Sequence, residues 1–220
     1  MKLLDLILPV RCVVCAAPGQ QLCQACCEAL PRLRLPLCAR CGKPTAWPVE
    51  RCSECAGRRL GFATARAAVA YDDRVRRLVQ GWKERGLRRL AATAADVVAD
   101  ALAAPAVDAI TFVPPDRARG LERGHHPAER LARELGARWA LTVEPLLARA
   151  RPAARQRGLS LSDRRRNVAG AFAPARASPR AVALVDDVYT SGSTANAAAS
   201  ALRTAGARRI EVITFARVVR

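Results

Sequence analysis

Four Cys-x2-Cys pairs crowd the start of the chain: Cys12/Cys15, Cys23/Cys26, Cys38/Cys41 and Cys52/Cys55, with Cys27 beside the second pair. Two sulfurs three residues apart on a tight turn reach one tetrahedral ion, and two such knuckles close a four-sulfur zinc site. Eight sulfurs so arranged predict two zinc ions and a small unit held together by metal. Taken in order along the chain, Cys12, Cys15, Cys23 and Cys26 hold one ion, and Cys38, Cys41, Cys52 and Cys55 hold the other. An interleaved pairing satisfies the same spacing, and Cys27 competes with Cys26 for its place. Gly42, directly after Cys41, suits the left-handed residue that a knuckle needs. All four positions of each ion are filled by protein, so the zinc is structural and has no open site for chemistry. A disulfide framework would need an oxidising compartment, and no export signal precedes the cysteines.

No cysteine follows Cys55. The composition then turns Ala-, Leu- and Val-rich, which predicts two units: a double zinc ribbon over residues 1–60 and a globular domain over 61–220. In the second unit, strand-like and helix-like runs alternate. Strands are expected at Ala65–Tyr71, Val107–Val113, Leu141–Leu147, Ala181–Val185 and Arg209–Ala216. Helices are expected at Arg74–Trp82, Arg88–Ala103, Pro127–Arg138 and Thr194–Gly206, the last ended by its glycine. The polar, basic segment Arg149–Arg165 reads as a mobile loop leading into a short helix capped at Ser162-Asp163. Such alternation predicts an α/β fold with a mainly parallel, doubly wound sheet, whose ligands bind at the carboxyl ends of the strands.

One strand end carries chemistry. After the apolar run Val182–Val185 come Asp186-Asp187, then Val188-Tyr189-Thr190-Ser191-Gly192-Ser193-Thr194, opening a helix. Small residues let backbone N–H groups converge on a phosphate. Thr190, Ser191, Ser193 and Thr194 offer hydroxyls, and the helix N-terminus adds a favourable dipole. Carboxylates accept hydrogen bonds from sugar hydroxyls. Together these groups describe a site for a ribose 5-phosphate, against the plainer reading of a polar strand-to-turn junction.

This stretch resembles the phosphoribosyl-diphosphate motif of type I phosphoribosyltransferases. With the four cysteine pairs before it, nearly the whole chain resembles the ComF family, also called competence protein F or amidophosphoribosyltransferase-like. The likeness includes Tyr71–Lys83, Arg123-Gly124, and the run from Gln156 through Leu159, Arg164 and Asn167-Val168 to Gly170-Ala171-Phe172. It implies a phosphoribosyltransferase-like (Rossmann-like) fold that binds phosphoribosyl diphosphate with Mg²⁺. Asp186 and Asp187 would take the ribose hydroxyls as the catalytic pair, and Thr190, Ser191, Gly192, Ser193 and Thr194 the 5′-phosphate. Val113-Pro114-Pro115-Asp116-Arg117 falls where the pyrophosphate loop belongs, with Arg123 on its far side. Arg149–Arg165 corresponds to the closing loop, where Gln156 and Arg164 are the matched positions. The chain departs from the family at Arg123-Gly124-His125-His126-Pro127 and at Pro114-Pro115, both on the pyrophosphate side. The paired histidines read as a helix start or anion contact rather than a metal site, and Lys83 as either a phosphate contact or an exposed helix-end lysine.

The formal charge of +18 suits a polyanionic partner. Only Lys2, Lys43 and Lys83 among the basic residues are lysines, and this arginine bias also fits a GC-rich coding source. Aromatics make up 4% of the chain, which argues against an extended base-stacking platform. Leu3–Leu8 is too short to cross a bilayer and reads as a docking turn, so a cytoplasmic protein is expected, with peripheral membrane contact as the alternative. The resemblance leaves two functional classes open. One is a phosphoribosyltransferase linked to DNA uptake or nucleotide salvage. The other is a non-catalytic module, binding single-stranded DNA or a competence helicase or sensing a ligand, on the same fold.

Overall fold

The structure, a computed structural model, describes residues 10–115, 126–150 and 170–219. Its elements are α1 (Gln24–Glu28), β1 (Thr64–Ala70), α2 (Asp73–Glu84), α3 (Leu90–Ala101), β2 (Ala109–Phe112), α4 (Pro127–Trp139), β3 (Leu147–Arg149), β4 (Phe172–Pro174), β5 (Ala181–Tyr189), α5 (Ser193–Thr204) and β6 (Arg209–Arg217). Four strands form one sheet in the order β1-β6-β5-β2, and every pair in it is parallel. The expected α/β architecture is therefore present, with the cysteine knuckles at its N-terminal side.

Side chains alternate across a strand, so each strand feeds two cores. Ala183 and Val185 of β5 enter one core with Leu78, Trp82, Leu90, Val98, Leu131 and Leu135 from α2, α3 and α4. Val182 and Leu184 enter the opposite core with Ala198 and Leu202 of α5 and Phe172 of β4. The first knuckle pair packs into the α2–α4 core through Cys12, Leu22 and Leu30. The second packs into the α5 core through Cys38, Cys41, Cys52 and Cys55. The two ribbons thus sit on opposite faces of the sheet. The chain between them runs antiparallel along the free edge of β1, where Leu33 N donates to Ala68 O (3.0 Å) and Ala70 N to Pro31 O (2.8 Å). This strip covers an edge that would otherwise offer unpaired backbone groups.

Two strand expectations need correction. Leu141–Leu147 is not a strand: Val143 alone bridges Ile110 in parallel, and the chain then starts β3, antiparallel to β4. Pro145 explains the break, because it has no N–H for a ladder. β5 runs on past Val185 to Tyr189, pairing Asp186 with Thr214 and Tyr189 with Arg217 of β6. Its other neighbour, β2, ends at Phe112, with a last bond from Val113 N to Val185 O (3.0 Å). The acid pair is therefore inside a strand, on the part that projects beyond β2. The expected docking turn Leu3–Leu8, the helix at Ser162-Asp163 and most of the basic loop lie outside the described residues; Arg149, at that loop's start, closes β3. No helix among the described residues is long and apolar enough to cross a membrane.

Candidate functional site

The cysteine sulfurs gather into two sets of four, Cys12/Cys15/Cys23/Cys26 and Cys38/Cys41/Cys52/Cys55, each set lying within 4.8 Å of one another. Sulfurs on a tetrahedron with Zn–S near 2.3 Å lie about 3.8 Å apart. The observed separations are 3.6 Å for Cys15–Cys23, 3.6 Å for Cys38–Cys55, 3.5 Å for Cys41–Cys52 and 3.8 Å for Cys52–Cys55. These are too long for disulfides and right for a shared ion. Backbone amides support the thiolates: Cys23 N donates to Cys12 Sγ (3.5 Å) and Cys52 N to Cys38 Sγ (3.3 Å). Pairing is sequential, and Cys26 rather than Cys27 completes the first set. Cys27 turns to the α2–α4 core, where burial pushes its thiol pKa up. Gly42 has φ +69°, and a Cβ there would collide with the Ala65 carbonyl.

Beyond β2, the acids of β5 diverge as strand geometry requires. Asp187 turns to the helical side and pairs with Lys83 Nζ of α2 at 2.6 Å. Lys83 is partly buried here, so it is neither an exposed lysine nor a free phosphate ligand. Asp186 turns the other way, into a small crevice shared with Thr190, Gly192, Thr194 and Thr214. Burial, and next the charge of Asp187, push the Asp186 carboxyl up to about 7 against the opposing pull of Lys83. The amide of Asp187 donates to Asp186 Oδ1 (2.9 Å) and orients it.

The hydroxyl loop is split in the same manner. Thr190 and Thr194 line the same crevice as Asp186. Ser191 and Ser193 bond one another (2.8 Å), and Ser193 faces the groove on the far side of α5. Gly192 is the N-cap of α5 with φ +72°, and a Cβ on it would overlap the Tyr189 hydroxyl. At the start of α5 the Ser193 amide donates to Ser191 Oγ (3.4 Å) and the Asn196 amide to Gly192 O (2.9 Å), which leaves those of Thr194 and Ala195 as the first-turn donors that could face an anion. Pro115 follows the end of β2. Arg123, Gln156 and Arg164 lie outside the described residues. His126 precedes α4, its Nδ1 3.1 Å from Glu129 Oε2, a helix-start contact as expected.

Two residues that the sequence did not single out organise the loop. Tyr189 lies under Gly192 and meets Phe62 edge-on, with ring centroids 6.4 Å apart. Arg217, the last residue of β6, stacks 4.6 Å from the Tyr189 ring centre and bonds Cys41 and Glu54 of the second ribbon. Nothing in a lone arginine near a chain end signals this; only the pairing of Tyr189 with Arg217 across β5 and β6 does.

A family model described as double zinc ribbon domain matches residues 3–56. Across the rest of the chain as well, the sequence is 30% identical over 224 aligned positions to "Competence protein F" of Haemophilus influenzae, covering 94% of this chain and 96% of that protein. The chain belongs to the ComF family. All eight paired cysteines fall within the residues that the double zinc ribbon model matches.

Proposed function

We propose that this ComF-family protein binds phosphoribosyl diphosphate across the end of β5, with Mg²⁺ arriving as the counter-ion of the diphosphate. One observation carries the reading: Asp186, Thr190, Gly192 and Thr194 line a single crevice at the start of α5. The 5′-phosphate sits in the Thr190–Thr194 loop against the Thr194 and Ala195 amides at the start of α5. The ribose lies across the projecting strand, one hydroxyl toward Asp186 and the other toward Asp187. The diphosphate then extends toward Pro115 and, by family likeness, Arg123 and Arg164. Carboxylate oxygens are the hard donors that Mg²⁺ accepts, and the ion keeps several waters when it binds along with phosphates. If the ribosyl group is transferred, the chain supplies positioning and charge, since the described residues hold no activated nucleophile. The name of the Haemophilus relative, "Competence protein F", supports a link between this binding and competence.

A second reading has its own support. Arg58, Arg59, Ser193, Asn196, Ser200 and Thr204 line a groove of about 550 Å³ between the second ribbon and α5. Among the described residues, neither arginine pairs with a carboxylate, which suits a phosphate backbone and a non-catalytic DNA-binding role. A panel of nucleobases with phosphoribosyl diphosphate and Mg²⁺ separates the two. Base-dependent pyrophosphate release establishes a transferase. Binding seen as a ligand-induced rise in melting temperature, without release, favours the non-catalytic reading, a sensor or DNA module. No melting shift with the ligand at millimolar concentration contradicts the site itself.

A further inference from the structure

We propose that zinc in the second ribbon and a phosphate ligand in the Thr190–Thr194 loop bind cooperatively, coupled by the buried side chain of Arg217. For its ligand this rests on the ribose-phosphate reading above; its conformational part stands without it.

Arg217 is 1% exposed and touches Cys41 and Glu54 on one side and Tyr189 on the other. Toward the metal, Nη1 donates to Cys41 O (2.5 Å) and Nη2 approaches Cys41 Sγ (3.6 Å) and Glu54 Oε2 (2.7 Å), while Lys43 Nζ holds the other Glu54 oxygen at 3.0 Å. Toward the loop, the guanidinium lies over the Tyr189 ring. Four thiolates around a dication leave excess negative charge, and a guanidinium on a ligating sulfur offsets it. The same contact fixes the guanidinium, which fixes the ring, and the ring's hydroxyl fills the place that a side chain on Gly192 would take. Gly192 is the residue that turns the chain into α5. A shorter second link runs beside this one: Arg58 Nη1 donates to Ser191 O (3.1 Å) from the turn after Cys55. Zinc loss releases the Cys41 turn that holds Nη1 and Nη2, leaves Arg217 to Glu54, and unseats Tyr189 from the loop. Coupling between two binding equilibria is reciprocal, so ligand in the loop must raise zinc affinity at the second centre by the same factor. The first ribbon, on the opposite face of the sheet, has no such link to the loop among the described residues.

The test uses the full chain. Cys15→Ser empties the first centre, so the remaining zinc reports the second alone. Its affinity, measured by competition with a chromogenic chelator, should rise at least fivefold with saturating phosphoribosyl diphosphate and Mg²⁺. The gain should vanish when Tyr189→Phe or Arg217→Lys is added. Bound ligand with unchanged zinc affinity overturns the coupling. Hydrogen exchange supplies the arm that needs no ligand. Arg217→Lys in the otherwise native chain should speed exchange of the 189–194 amides about tenfold more than exchange in the first ribbon, with two zinc ions retained. Exchange equal to wild type there overturns the relay, whereas absence of ligand binding alone overturns only the ribose-phosphate reading.

Discussion

Asp186 shows most plainly what the site costs the fold. Its ordinary pKa of 3.8 rises to about 7 in the folded chain, first through burial and then through Asp187. Between those values the folded form keeps a proton that the unfolded chain has lost, so the contribution to stability falls as pH rises from about 4 to 7 and is level above that. Asp186→Asn removes this penalty. The variant should gain about 1–3 kcal/mol at pH 8 and almost nothing at pH 4, checked by urea unfolding at the two pH values, while losing ligand affinity. A gain that is equal at both pH values contradicts the assignment. Gly192 shows the reverse dependence. Gly192→Ala forces a side chain into the Tyr189 hydroxyl at φ +72° and should cost about 2 kcal/mol or more. Circular dichroism should show the fold retained, and ligand binding should fall at least tenfold. Ala at this position without effect on binding would remove the loop from the site.

At the scale of elements, the acid pair stands clear of the sheet's edge strand because β5 outruns β2. An expected strand end at Val185 put Asp186-Asp187 at a boundary, since apolar residues stop there; the ladder continues because β6 still offers partners through Arg217. Hydrophobic pattern marks where a strand is buried and says little about where its hydrogen bonds end. Pro145 misled in the opposite direction: the apolar pattern of Leu141–Leu147 continues through it and the backbone ladder does not. α2 was legible from its spacing, and Asp72 caps it by accepting from Val75 N (2.8 Å). The destination of its last turn was not legible, because Lys83 meets Asp187 only through the tertiary fold. Lys83→Met should leave helix content unchanged and weaken ligand binding about tenfold by leaving Asp187 without its counter-charge. Calorimetry checks this, and unchanged affinity contradicts a role for the pair.

At the scale of the molecule, two four-cysteine ribbons grip one sheet from opposite faces, and each is bonded toward a different half of the proposed site. Arg77 Nη1 donates to Val14 O (2.9 Å), which ties the first ribbon to α2 and hence to Lys83. The second ribbon reaches the loop through Arg58 and Arg217. The zinc sets were legible because spacing within a pair is a local property, and sequential pairing follows from two compact turns. Which face each ribbon covers was not, since that depends on contacts far apart in the chain. The exposed Cys15 predicts stepwise metal loss: a chelator should remove one zinc quickly from the first set and the second slowly from the fully buried set, with two equivalents in total. Simultaneous release of both would contradict independent centres. The central claim, a ribose-phosphate site at Asp186-Asp187 and Thr190–Thr194, is tested most directly by calorimetric titration of phosphoribosyl diphosphate with Mg²⁺ into wild type and the Asp186→Asn/Asp187→Asn variant. Saturable binding at one site per chain, weakened at least tenfold in a variant that retains both zinc ions, is the predicted result. Equal affinity in the two proteins, or none in wild type, would contradict it.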